Sequence, residues 1–211
     1  MSITTPVTTI APEIDSFGAG GQMYMASIWG GHNVRTQQIN PLFSFRATDS
    51  TQENAAQLTN LMEAQKVGST MAFRANRVGF RLTWFSSSAP TPAEVEAMKQ
   101  LLASAVVTLT VGSNETKVAE FSGLDLMQPI DVASETAEGT TTSTSAFAAG
   151  LGGGIGWIPL QIPVEIQANV NIGGTVRFTR PIPSALQPAS DSDPSKCGFV
   201  VIMQGLKVVK S

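Results

Sequence analysis

The sequence predicts an all-β fold, on three observations. Short apolar runs with a period of two recur along most of the chain. Clusters of Gly, Asn, Ser and Pro punctuate them, as strand connections require. No strand–helix–strand rhythm appears, so an open parallel sheet is not expected. Counting the runs gives a β-sandwich or single jelly roll of about eight to ten strands, with two short helical excursions and an extended N-terminal arm. With 211 residues the chain suits one domain with a sizeable core, here residues 22–211, preceded by the arm at 1–21.

The arm is rich in Thr, Pro, Ala and Gly. Its β-branched residues, Ile3, Thr4, Thr5, Val7, Thr8, Thr9 and Ile10, suit an extended segment that pairs with something, and Gly18-Ala19-Gly20-Gly21 makes a hinge. From Gln22 to Ile28 the pattern is strand, and Gly30-Gly31 is expected to break it before a second run, Val34 to Ile39. Leu42 to Arg46 alternates again, with Phe43 and Phe45 on one face.

Asp49 to Lys66 is the first helix candidate. Ala55, Leu58, Leu61, Met62 and Gln65 fall at helical spacing, Asp49 or Ser50 can cap it, and Gly68 stops it. Thr70 to Phe85 reads as two strands or one bent strand. Met71, Phe73 and Ala75 alternate, and after Asn76-Arg77 the alternation resumes on Val78, Phe80, Leu82 and Trp84. The second helix has the clearer start: Thr91-Pro92-Ala93-Glu94 combines an N-cap, a first-turn proline and a capping-box Glu ahead of the stripe Val95, Met98, Leu101, Leu102.

Val106 to Val111 and Lys117 to Leu126 form a hairpin about Gly112-Ser113-Asn114. Residues 131–156 are acidic, then Thr/Ser-rich, then glycine-rich, with no apolar period. Ile162 to Ile172 alternates strictly and is expected to be one long strand that turns at Gly173-Gly174 into Thr175 to Arg180. A Pro and Asp/Ser loop precedes the last strand, Cys197 to Val209, with Phe199, Val201 and Met203 inward and a bulge at Gly205.

Composition narrows the function. Thirteen basic against sixteen acidic side chains leave a net charge of −3, so there is no basic field for specific nucleic-acid binding. One His and one Cys, His32 and Cys197, are too few for zinc or iron ligation, and no disulfide within the chain can form. No metal or other cofactor is expected. Gly152-Gly153-Gly154-Ile155-Gly156 runs into Trp157-Ile158-Pro159 and lacks the Lys-Ser/Thr of a phosphate loop. The N-terminal residues carry no positive n-region or apolar h-region, so no signal peptide is expected. Asp125, Asp131, Glu135 and Glu138 are the only carboxylate cluster, and loop acids of this kind are usually solvated, so no enzyme is expected.

The charged fraction, 14%, is far below the roughly 25% of ordinary domains. A surface of Ser, Thr, Ala and Gly can meet a like surface without stranding buried ions. The densest basic cluster, Arg74, Arg77 and Arg81, lies among aromatics. Such interleaving can stack nucleobases, but alternation assigns these arginines to a solvent face or a subunit contact.

The runs Ile162-Pro163-Val164-Glu165-Ile166, Ala168-Asn169-Val170-Asn171-Ile172 and Val176-Arg177-Phe178, a Pro-rich loop, and the closing Val200 to Val209 resemble the C-terminal half of jelly-roll capsid proteins of tailless icosahedral bacteriophages. The Thr108 to Leu126 hairpin resembles their mid-barrel hairpin. The likeness covers roughly residues 100–211 and is one of pattern. It implies a virion coat subunit, made in the host cytoplasm, that assembles with copies of itself and other capsid proteins into an icosahedral shell, often around an internal membrane. Candidate contact residues are Ile3, Val7 and Ile10 of the arm and Arg74, Arg77, Arg81, Arg177 and Arg180. The alternative is a receptor- or carbohydrate-binding jelly roll of a virion spike or fibre, which needs an exposed platform from Trp29, Trp84 or Trp157.

Overall fold

A computed structural model describes residues 21–86, 88–123 and 157–210. Residues 1–20 of the predicted arm, the Thr/Ser and Gly tracts and the carboxylate cluster at 125–138 lie outside them, while Gly21, expected to end the arm, opens the first strand. Eight strands make two four-stranded antiparallel sheets. They are β1 (Gly21–Asn33), β2 (Ile39–Pro41), β3 (Met71–Trp84), β4 (Ala105–Val111), β5 (Thr116–Ser122), β6 (Trp157–Ile166), β7 (Ile172–Phe178) and β8 (Cys197–Lys210). The sheet orders are β1-β8-β3-β6 and β2-β7-β4-β5. The pairs β1·β8, β2·β7, β3·β6 and β4·β5 are nested like one long hairpin folded over on itself, which is the connectivity of a jelly roll.

The core lies between the sheets. Phe73, Ala75, Val78, Phe80 and Leu82 of β3 and Phe199, Val201 and Met203 of β8 face Val107, Leu109, Val176 and Phe178 of the other sheet. Phe199 stacks on Phe80 and meets Phe178 edge-on. The predicted bend in β3 is a single bulge: Ala75 pairs with Gly205 and Arg77 with Gln204, leaving Asn76 unpaired. Hence the apolar parity changes from odd to even at that residue while one face stays buried. The bulge is on β3 and not at Gly205. A Cβ at Gly205 would lie 1.9 Å from the Arg74 carbonyl oxygen, so the glycine lets the bulged strand approach.

Helix α2 (Pro92–Ala103) forms with the predicted start. Thr91 and Glu94 complete a reciprocal capping box, and Ala97, Met98, Leu101 and Leu102 enter the core. The first predicted helix shrinks to one turn, α1 (Ala55–Leu58). Asp49 bonds Thr51 instead of capping a helix, and left-handed backbone at Asn54 and extended backbone at Thr59 bound the turn on either side. Thr59 and Asn60 are drawn to the edge of β1.

Three other expectations are corrected. The glycine pair Gly30-Gly31 does not break β1; a Cβ at Gly30 would strike the Phe43 ring at 2.3 Å and one at Gly31 the Phe199 carbonyl at 2.0 Å, so close packing is what requires glycine. Val34 to Gln38 and Leu42 to Arg46 are not strands, and Phe43 has φ 58°. The strict alternation from Ile162 to Ile172 spans two strands in different sheets. It breaks at Asn169, with φ 63°, and Gly173-Gly174 lie inside β7, paired with Thr110 and Leu109.

Candidate interaction surfaces

The structure divides the predicted arginines between opposite faces. Arg74, Arg77 and Arg81 all point from β3 to the outer side of the β1-β8-β3-β6 sheet, because the bulge at Asn76 brings Arg74 onto the face of Arg77. Arg74 Nε donates to Glu165 Oε1 at 2.8 Å, and a second guanidinium N–H reaches the same oxygen. Arg77 Nε donates to Gln204 Oε1 at 2.5 Å, and its guanidinium lies 4.7 Å from the centre of the Trp157 ring. Arg81 Nε is buried with no hydrogen-bond partner among the described residues. Arg74 and Arg77 therefore lace β3 to β6 and β8. Each exposed pair contributes about 1 kcal/mol or less.

Arg177 lies on the outer side of the second sheet, beside Ile39 and Val106, and Arg180 follows just beyond β7. Both are exposed. Near Arg177, Lys117 and Thr108 bond Glu120 and hold its carboxyl below the usual carboxylate range, with Arg177 adding to the effect. The five arginines thus form no common patch. Ile3, Val7 and Ile10 lie outside the described residues.

The three tryptophans are half-buried. Trp29 and Trp157 pack on a small cluster made by Phe45, Leu58, Val200 and Ile202 outside the first sheet, and Trp84 packs on the main core and donates to the Ser88 carbonyl at 2.7 Å.

A cleft of about 550 Å³ lies beside Glu53, Phe85, Asp193, Ser195 and Lys196. One of its two acids is already engaged: Glu53 accepts from Arg35 at 3.0 Å and from the Ser195 N–H at 2.8 Å. Lys196 is held by Glu94 at 3.0 Å and by the Ala185 carbonyl at 2.8 Å. These contacts tie the loop before β8 to α2 and to the segment before α1. Cys197 is fully buried, and burial pushes its thiol up to about 12. Among the described residues no group of three metal-ligating side chains occurs, and no helix is long and apolar enough to cross a membrane.

The feature that sequence reasoning missed is the placement of exposed apolar side chains. Met23, Tyr24 and Met25 lie on β1, Ile162 on β6, Ile39 on β2 and Val118 on β5. These are the four edge strands of the two sheets. Their exposures run from 39% at Val118 to 82% at Ile162. The available signal was the absence of any charged residue from Ser16 to Val34, a run that takes in all of β1. The chain matches no protein-family model and no curated protein.

Proposed function

We propose that this chain is a structural coat subunit of a virion, one that assembles with copies of itself, and with other capsid proteins, into an icosahedral shell. The observation that supports this most is the exposed apolar side chains on all four edge strands of a jelly roll with a filled interior. A receptor-binding domain concentrates such groups in one patch. A shell subunit meets neighbours on several sides and needs them around its rim. The low charge, 14% of residues, agrees, since most of the rim would be covered without burying ions. In this reading the N-terminal arm adds a strand to a neighbour, with main-chain hydrogen bonds as the glue.

The test is expression of the full chain followed by negative-stain electron microscopy and sedimentation. Closed particles are expected, and deletion of residues 1–21 is expected to abolish or misdirect them with little change in melting temperature. A protein that stays monomeric at every concentration, salt and pH tried, with no particles in the expressing cells, refutes the proposal.

A further inference from the structure

Among the described residues, nothing pairs with the outer edge of β1 over its first residues. In an antiparallel strand, successive residues turn their backbone N–H and C=O to opposite sides. On the side away from β8, the Ser27 carbonyl accepts from Asn60 Nδ2 at 2.9 Å, and Trp29 donates to Asn60 Oδ1 at 2.9 Å and accepts from the Asn60 N–H at 3.3 Å. Odd-numbered residues therefore face outward. β1 pairs with β8 without a register shift, so the same holds for Met25, Met23 and Gly21. Nothing among the described residues pairs with those three on that side.

The other edges carry protection against strand addition. β6 holds Pro159 and Pro163, and Leu160 to Pro163 bow out opposite Asn76. β2 has three residues, one of them Pro41. β5 carries Lys117 and Glu120 and a register shift opposite Leu109 and Thr110. The open stretch of β1, Gly21-Gln22-Met23-Tyr24-Met25-Ala26-Ser27, has no charge, no proline and no bulge.

We propose that two copies of this chain join along β1, antiparallel about a two-fold axis at Tyr24, so that two four-stranded sheets become one continuous sheet. The inference rests on the coat reading, of which it names one contact. The stretch whose outward N–H groups Asn60 leaves open, Gly21 to Ser27, is centred on Tyr24: Met23 of each copy meets Met25 of the other, and Gly21 meets Ser27, whose carbonyl Asn60 Nδ2 already holds. Odd residues meet odd and even meet even, so the outward N–H and C=O groups of the odd residues find each other, and the two Met23–Met25 pairs alone exchange four main-chain hydrogen bonds. At a two-fold axis a charged residue meets its own copy, and here there is none. The methionines of both copies lie together on the outer face, where flexible thioether chains fill an irregular seam. The paired stretch is about 24 Å long at roughly 3.4 Å per residue, a weak contact by itself and suited to act beside others around a shell.

Tyr24→Cys in the full chain is the test. The native Cys197 is fully buried and does not compete. In the proposed register the two new thiols face each other across a pair with Cα atoms about 4.5 Å apart, within disulfide range. Mild oxidation is expected to yield mainly dimer, whereas Val118→Cys on β5 is expected to yield little. Adding Met25→Pro removes an outward N–H but no bond to β8, and is expected to lower dimer yield by roughly tenfold or more. If that variant melts abnormally, Met23→Lys with Met25→Lys, which sets lysines opposite each other across the seam, replaces it with the same expectation.

A Tyr24→Cys protein that stays monomeric overturns the inference, as does a cross-link that survives both variants. A cross-link lost on deleting residues 1–20 also overturns it, since the arm would then hold the edge. Particles without the cross-link refute this edge and leave the coat reading standing. The cross-link without particles supports the edge and counts against the coat.

Discussion

Glu94 is the residue whose replacement tests most directly how α2 is held to the last strand. Its carboxylate accepts from the Thr91 N–H at 2.9 Å, the Thr91 hydroxyl at 2.9 Å and Lys196 Nζ at 3.0 Å. The Glu94 N–H in turn donates to Thr91 Oγ1 at 3.3 Å. Losing one side of a helix cap costs about 1 kcal/mol. The ion pair with Lys196 joins a Glu side chain that is 15% exposed to a Lys that is 36% exposed. With that solvent screening it contributes about 1 kcal/mol more. Glu94→Ala should therefore destabilise by about 2 kcal/mol, or about 4–8 °C in Tm for a domain of this size. Glu94→Gln keeps an acceptor for the cap and loses the charge, so about 1 kcal/mol is expected.

The pH dependence has a definite sign. The Thr91 N–H first, and then Lys196, hold the Glu94 carboxyl below its usual range against the opposing effect of burial. A folded-state pKa below the unfolded one gives stability that is complete above the unfolded value, about 4.3 for Glu, and that is lost as pH falls through the folded value. The gap between wild type and Glu94→Gln should be full at pH 7 and close under acid. Thermal melts followed by circular dichroism from pH 7 to pH 3, on dilute unassembled protein, measure it. A Glu94→Gln protein as stable as wild type at pH 7, or a gap that widens toward acid, refutes the reasoning.

Two further outcomes are expected. Gly205→Ala places a Cβ 1.9 Å from the Arg74 carbonyl oxygen at the central β3–β8 pairing. It should cost about 1–3 kcal/mol by overpacking, read from a urea melt; an unchanged midpoint would mean that the bulge at Asn76 does not press on this glycine. The Cys197 thiol, raised to about 12 by burial, should not react with a thiol reagent at pH 8 until the protein is unfolded. Prompt labelling of native protein contradicts that burial.

Local chemistry carried much of the fold. Thr91-Pro92-Ala93-Glu94 completes its capping box within four residues, and α2 starts where that tetrapeptide says. The change of apolar parity at Asn76 reads as two strands or one bent strand, and the pairing with β8 makes it a bulge, because burial on one face forces the parity to jump where an extra residue enters. The helix expected over 49–66 failed for the opposite reason. Its spacing was helical, but Asn60 is worth more to the fold as three hydrogen bonds on the open edge of β1 than as one helical residue.

Sequence by itself determined the fold class, most strand positions and a surface poor in charge, since each follows from composition or from neighbours along the chain. Which strands are edges was decided only in three dimensions. Periodicity tells a strand which side to bury, yet it is silent on who lies beside it. For that reason the alternation from Ile162 to Ile172 reads as one strand while belonging to two sheets, and the contact candidates Arg74 and Arg177 carry no sign in the sequence that they lie on opposite faces. The exposed edge at Met23, Tyr24 and Met25 exists only because β1 pairs with β8 on one side and, over these residues, with nothing described on the other.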